Sequence, residues 1–153
     1  MKEPVLVSAC LLGILTRYDG TTKSNQRVLD WLEREQLLPI PICPEQLAGL
    51  PTPRSKTRFT RGDGCAVVAG TGEVATFSGH PMNEPFLRGA AEALKIARLT
   101  GCRRALLKER SPSCGVHEIH RGEAIVTGTG VTTALLLDAG IAVMSETDLE
   151  KDC

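Results

Sequence analysis

Residues 83–108 decide the fold, because NEPFLRGAAEALKIARLTG and the CRRALLK that follows it place a long amphipathic helix directly before a short buried strand. Asn83 is expected to cap this helix, and Gly101 is expected to end it. Apolar side chains recur along one stripe of the helix, at Phe86, Ala90, Leu94 and Ala97. A helix that passes through a glycine into a buried strand is typical of an α/β domain.

The same alternation extends in both directions from this unit. PVLVSAC (residues 4–10), LLPIPIC (37–43) and IAVMS (141–145) have the apolar pattern of strands. The prolines in LLPIPIC favour either an edge position or a strained entry into the strand. Helices are predicted for SNQRVLDWLEREQ (24–36), where Leu29 should join the apolar side, for VTTALLLDAG (131–140), and from Ser145 onward. CAVVAGTGEVATF (65–77) has a hairpin pattern, whereas 50–64 and 109–130 read as loops.

These elements predict one α/β domain over residues 1–153. Its sheet should be mainly parallel, in a Rossmann-like three-layer arrangement with a small β-hairpin insertion. The 18 Lys and Arg residues balance the 18 Asp and Glu residues, so the net charge offers no field for nucleic acid or an anionic membrane. We find no signal-peptide pattern and no apolar run long enough to span a bilayer. The expected location is therefore the cytoplasm, without a membrane or nucleic-acid partner.

Three of the six cysteines fall where ligands bind in a parallel sheet. Cys10 and Cys43 end two predicted strands, and Cys114 lies in the loop after the strand in CRRALLK. Because the carboxyl ends of parallel strands share one edge, these three thiols can reach the same place. Cys65, Cys102 and Cys153 have no common meeting point.

The spacing of the cysteines leaves their chemistry open. No C-x-x-C pair is present, which disfavours a zinc knuckle or a thioredoxin-type pair. Three converging thiols could hold zinc, form a reactive relay or bind an iron–sulfur cluster that leaves one iron uncovered. They could also be packing residues. Zinc with an open position usually takes histidine ligands, for which His80, His117 and His120 are available without a clear ligand spacing.

Four segments resemble the thiouracil desulfidase family, in order and over nearly the whole chain. They are SACLLG (8–13), CPEQLAGLPTPR (43–54), LLKERSPSCG (106–115) and GTGVTTALLLDAGIAVMSE (128–146). The resemblance implies a [4Fe-4S] cluster held by Cys10, Cys43 and Cys114. It also implies removal of sulfur from thiolated pyrimidines such as 2-thiouracil, giving uracil and hydrogen sulfide without net redox change.

This chemistry requires a proton carrier near the open iron, and Glu45 is the candidate general acid–base. Its alternative role is that of an acid in the first turn of a helix. Ser111 is the second catalytic candidate, while Ser113, Lys108 and Ser8 are candidates for binding substrate or tuning the cluster. The serines could equally cap a turn, and Lys108 could be a solvated strand end.

Two further hypotheses use the same cysteines. One is a redox sensor or sulfur carrier with a cluster but no enzymatic activity, and the other is a zinc-dependent hydrolase. The basic run at Arg54, Lys56, Arg58 and Arg61 could contact a phosphate, but such a run is usually a solvated loop.

Overall fold

Two four-stranded sheets organise the chain in the computed structural model, which describes residues 1–150. A 3₁₀ turn, Ala9–Leu12, follows the first strand. The strands are β1 (Glu3–Ser8), β2 (Leu37–Ile42), β3 (Thr57–Arg61), β4 (Glu73–Thr76), β5 (Arg104–Leu107), β6 (Glu118–Arg121), β7 (Ala124–Thr127) and β8 (Ala142–Ser145). The helices are α1 (Gln26–Arg34), α2 (Pro44–Leu47), α3 (Gly64–Ala69), α4 (Asn83–Thr100), α5 (Val131–Asp138) and α6 (Glu146–Leu149).

The first sheet is wholly parallel and has the order β2-β1-β5-β8. Its edge strand β2 carries Pro39 and Pro41, which confirms the position predicted from those prolines. Side chains of successive residues in a strand point to opposite faces of the sheet, so neighbouring residues of β1 pack into different hydrophobic cores. Val5 and Val7 pack with α1 and α6 on one face, and Leu6 packs with α4 and α5 on the other. The predicted three-layer α/β fold is confirmed.

The helix ends agree only partly with the sequence patterns. The Asn25 side chain caps α1 by accepting from the N–H groups of Arg27 and Val28, and Ser145 caps α6 in a capping box. The prediction for Asn83 is wrong, because Met82 is the N-cap residue of α4 and the side-chain oxygen of Asn83 accepts from Val74 N at 2.8 Å. The prediction for Leu29 is also wrong, since its side chain lies at the exposed edge of α1.

The second sheet, β4-β3-β6-β7, is larger than the predicted hairpin insertion and lies mainly in segments predicted as loops. It joins the antiparallel pairs β3–β4 and β6–β7 through a parallel bridge between β3 and β6. Residues 65–77 are not a hairpin, because CAVVA belongs to α3, capped by Asp63 through Ala66 N. Short runs of alanine and valine fit a helix as well as a strand. The sequence pattern did not predict β3, because Phe59 is the only buried residue of that strand.

Helix α4 lies between the two sheets and also fixes α2, the short helix after Cys43. Its Ala93 and Ala97 pack on the first sheet, whereas Phe86 and Ala90 pack on the second. A Cβ atom at Gly89 would lie 2.0 Å from the carbonyl oxygen of Pro44, so the backbones of α4 and α2 are in close contact at this point. None of the helices within residues 1–150 could span a bilayer. The part of the predicted last helix that includes Lys151, and Cys153, lie outside the described residues.

Replacing Gly89 with alanine should destabilise the protein by about 1–3 kcal/mol, because the added methyl overpacks the contact with α2. The sign is diagnostic, since alanine is ordinarily favoured over glycine within a helix by about 1 kcal/mol. Urea unfolding followed by circular dichroism measures the change. Ala91→Gly at an exposed position of α4 is the matched control and should lose only about 1 kcal/mol. A Gly89→Ala protein as stable as the parent would contradict this packing argument.

Candidate functional site

The three cysteines singled out by their strand-end positions line one cavity of about 230 Å³. Cys10 lies in the 3₁₀ turn after β1, Cys43 immediately follows β2 and is the N-cap residue of α2, and Cys114 lies in the loop after β5. The other two described cysteines lie outside this cavity. Cys65 is exposed at the start of α3, and Cys102 is buried beside Thr100. The structure therefore brings together three thiols from distant parts of the chain.

Burial makes ionisation of these thiols costly. It raises the pKa of Cys10 to about 11 and that of Cys114 to about 12, and it also raises the pKa of Cys43. A charge on Cys43 raises the pKa of both other thiols further, which is expected of sulfur atoms that share one cavity. Thiolates in such a place require compensation, and a bound metal centre supplies it.

This donor set fits a cluster better than a single metal ion. Among residues 1–150, no three His, Cys, Asp or Glu side chains are grouped closely enough to hold one ion. A single zinc ion needs its ligands at bonding distance from one point, whereas the cysteines of a cluster bind different irons and stand farther apart. One buried thiol, Cys114, and two partly buried thiols around a shared cavity therefore match a cluster with three protein ligands.

The backbone around Cys114 is held by side-chain and main-chain hydrogen bonds. The Ser111 hydroxyl accepts from the N–H groups of Ser113 and Cys114, each at 3.2 Å. The carbonyl of Cys114 accepts from Thr133 Oγ1 at 2.9 Å. A Cβ atom at Gly130 would lie 2.5 Å from the carbonyl oxygen of Ser113, so only glycine lets the start of α5 approach this closely.

The acid beside Cys43 is held by a buried cation. Arg54 Nε and Nη2 both donate to Glu45 Oε2, at 2.9 and 2.6 Å, and the two side chains are only 7% and 13% exposed. Arg54 Nη2 also donates to the carbonyl of Thr16 and lies 3.8 Å from Cys43 Sγ. The other Glu45 oxygen, Oε1, has no hydrogen-bond partner among the described residues.

The interpretation of the basic run as a solvated loop is wrong for Arg54. A carboxylate such as that of Glu45 requires a counter-charge in a partly apolar cavity. That requirement is the signal from which an arginine close to Glu45 could have been predicted. Lys56 also borders the cavity and lies 5.7 Å from the centroid of the Tyr18 ring. Arg58 stacks on the exposed ring of Phe77 at 4.1 Å, and Arg61 donates to the carbonyl of Thr71.

The remaining predicted residues also border the cavity, with their polar groups already engaged. Ser8 Oγ accepts from Lys108 N at 2.9 Å. The Lys108 ammonium pairs with Glu146 at 2.8 Å, so it is not the solvated strand end considered above. Ser113 Oγ donates to Cys114 Sγ at 3.7 Å and lies 3.0 Å from Ser111 Oγ.

Of the three histidines, only His120 lines the cavity of the cysteines. Burial and nearby cations lower the pKa of His120, so its imidazole is neutral at pH 7. His117 lies outside and is 3.0 Å from Asp148. His80 borders a neighbouring cavity of about 390 Å³, which shares Glu45 and Arg54 with the first.

Glu109, which is not among the predicted site residues, is the most buried acid near the site, at 3% exposure. Burial raises its pKa, but the N–H groups of Glu118, His117 and Val116 outweigh burial and hold the pKa below its ordinary value. An acid directly after a buried strand was the only sequence signal for it. It carries a charge at the base of the loop that holds Cys114.

Comparisons with known proteins agree on one family. Residues 5–148 match the model of the 2-thiouracil desulfurase family. The protein YbbK of Bacillus subtilis (strain 168) is 38% identical over 148 residues, which cover 95% of this chain and 97% of that protein. The solved structure of the [4Fe-4S]-dependent thiouracil desulfidase TudS superposes with a TM-score of 0.82 at 42% identity, covering 98% of this chain and 95% of that one.

Removing the cation of the buried pair should be costly. Arg54→Ala leaves the Glu45 carboxylate buried without its partner, and we expect a loss of about 3–5 kcal/mol in the free energy of unfolding. Urea unfolding measures the loss. Lys95→Ala, which breaks a pair with Glu92 in which both side chains are well exposed, is the control and should change stability by less than about 1 kcal/mol. Equal effects of the two substitutions would contradict the buried ion pair.

Proposed function

Because the chain belongs to the 2-thiouracil desulfurase family, we propose that it converts a 2-thiouracil-type pyrimidine and water into uracil and hydrogen sulfide, with Cys10, Cys43 and Cys114 as cluster ligands. The chain is an iron–sulfur thiouracil desulfidase with a [4Fe-4S] cofactor and a small thiopyrimidine substrate. The observation that carries the proposed ligand set is the presence of three thiols, all buried or partly buried, around one cavity beside a carboxylate.

The cluster would supply a Lewis-acidic iron with an open position, whose affinity for soft ligands suits a thiocarbonyl sulfur. Three protein thiolates leave one iron of a four-iron cluster without a protein ligand. The Glu45–Arg54 pair lines the same cavity and therefore supports a role for Glu45 in moving protons near that position.

The reaction needs proton transfer but no electrons. Water adds to the thiocarbonyl carbon, the carbon–sulfur bond breaks, and both hydrogens of the water end on the released sulfide. A single carboxylate can take a proton from water and return it to the leaving sulfur. Arg54 holds Oε2 of Glu45 and leaves Oε1 available for this transfer. Glu45 is accordingly the proposed general acid–base.

The serines and the lysine have supporting roles in this proposal. Ser111 accepts two backbone N–H bonds, so its own proton is free to be donated to Ser113 or to the substrate. Ser113 already donates to the sulfur of Cys114, and hydrogen bonds to a ligand sulfur tune such centres. Burial raises the pKa of Cys10, and the charge of Lys108 offsets part of that rise, which favours the thiolate that would bind iron. Ser8 orients the same segment through Lys108 N.

Cysteine substitutions test the ligand set. Each of Cys10→Ser, Cys43→Ser and Cys114→Ser, purified without oxygen, should lose most of its iron and sulfide together with the absorbance near about 400 nm that is typical of iron–sulfur clusters. Cys65→Ser is the matched control, because this exposed thiol lies outside the cavity, and it should keep the cluster of the parent. Retention of a full cluster by one of the three variants would remove that cysteine from the set.

A Glu45→Gln protein separates catalysis from cluster binding. It should keep its iron while sulfide release from 2-thiouracil falls by about 10²–10⁴-fold, the usual contribution of a general acid–base. Iron analysis and an assay of released sulfide measure the two properties. Unchanged turnover in this variant would overturn the role of Glu45. Absence of sulfide release from any thiopyrimidine by fully loaded parent protein would instead favour a sensor or sulfur carrier.

A further inference from the structure

Glu109 joins the two ends of the segment that carries Cys114, residues 110–117, here called the Cys114 loop. A single oxygen atom of its carboxylate, Oε1, accepts hydrogen bonds from backbone N–H groups at both ends of this loop and from the N–H group of the residue that follows the loop. The donors and their distances to Oε1 are Arg110 at 3.3 Å, Val116 at 2.8 Å, His117 at 2.9 Å and Glu118 at 3.1 Å. The carboxylate therefore acts as a clasp across the loop.

The charge of Glu109 has no counter-cation among the described residues. The ammonium of the adjacent Lys108 is paired with Glu146, and Glu109 contributes only its main-chain carbonyl to that ammonium. A buried carboxylate without compensation is very unfavourable, and charge-assisted bonds from N–H groups supply the compensation here. The carboxylate and the conformation of the Cys114 loop therefore depend on each other.

The loop needs such a clasp because its backbone begins in an uncommon conformation. Arg110 has a φ of +68°, in the left-handed region that residues other than glycine seldom adopt. Its N–H group is one of those that Glu109 accepts. Strain of this kind persists only where surrounding contacts over-determine the backbone. Without the carboxylate, the N–H groups at the far end of the loop would also lose their acceptor.

We propose that Glu109 is the positioning residue for Cys114, holding the Cys114 loop so that its thiol joins those of Cys10 and Cys43 before any cluster binds. The proposal rests on the proposed function only in taking Cys114 as a cluster ligand. Glu109 acts through the loop and does not touch substrate. A preformed third ligand reduces the ordering that cluster binding would otherwise require.

Thiol alkylation of the cluster-free full-length protein tests this directly. Peptide mass spectrometry after timed exposure to N-ethylmaleimide gives a separate rate for each cysteine. In Glu109→Ala, the rate for Cys114 should rise by about tenfold or more through local opening, while those for Cys10 and Cys43 change by less than about twofold. A general loss of structure would raise all three rates together and would overturn the proposal.

Two matched variants sharpen the test. Glu109→Gln keeps an oxygen that accepts N–H bonds but lacks the charge, so the rise in the Cys114 rate should be smaller, about threefold. Glu118→Gln makes the same chemical change in an exposed pair with Arg110 and should leave the rate unchanged. If Glu109→Ala does not fold, Glu109→Gln decides. A selective rise at Cys114 supports the proposal, and no change or a uniform rise overturns it.

In the same variants, we expect the cluster to be inserted more slowly and to be lost faster than in the parent protein. After anaerobic reconstitution, Glu109→Ala should lose iron to a chelator about 10–100-fold faster than the parent, and Glu109→Gln should recover part of this difference. Equal loss rates in Glu109→Ala and the parent would overturn the proposal. Because alkylation uses neither cluster nor substrate, its result remains informative if no thiopyrimidine is desulfurated, and the two proposals can fail separately.

Discussion

Parallel pairing of β1 with β2 and with β5 is the constraint on which the rest of the structure depends. Ser8 pairs with Ile42, and Val7 pairs with Leu106, so the three strands end side by side. The three strands therefore end at the same edge of the sheet, and the segment that follows each strand carries one cysteine of the cavity. A thiol trio separated by this much sequence can meet only because parallel strands align their carboxyl ends.

Each buried charge around the cavity is compensated in a different way. Glu45 has the guanidinium of Arg54, and Glu146 has the ammonium of Lys108. Glu109 is paired with no cation among residues 1–150; its carboxylate accepts from backbone N–H groups and, at 3.5 Å, from the Thr147 hydroxyl. The thiols also have nearby cations or hydroxyl donors, but burial outweighs these contacts and raises the pKa of all three. The protein thus satisfies its own ions internally and leaves the cysteines as the donors that a metal centre would stabilise.

The second sheet completes the cavity rather than adding a separate unit. Its β6 contributes His120, and the segment that enters β3 contributes Lys56. Helices α4 and α5 lie between the sheets, so the close contacts at Gly89 and Gly130 set the positions of the Cys43 and Cys114 segments together. The site is consequently formed by packing between layers, not by one continuous motif.

The sequence by itself determined the parallel α/β core and the three cysteines of interest, because apolar periodicity and strand-end positions are local signals. It also pointed to Glu45, which directly follows Cys43 and a helix-starting proline. Tertiary structure alone decided that Arg54 holds Glu45, that Glu109 clasps the Cys114 loop and that a second sheet closes the cavity. Those features depend on backbone and charge contacts between residues far apart in the chain, and such contacts leave no periodic trace in the sequence.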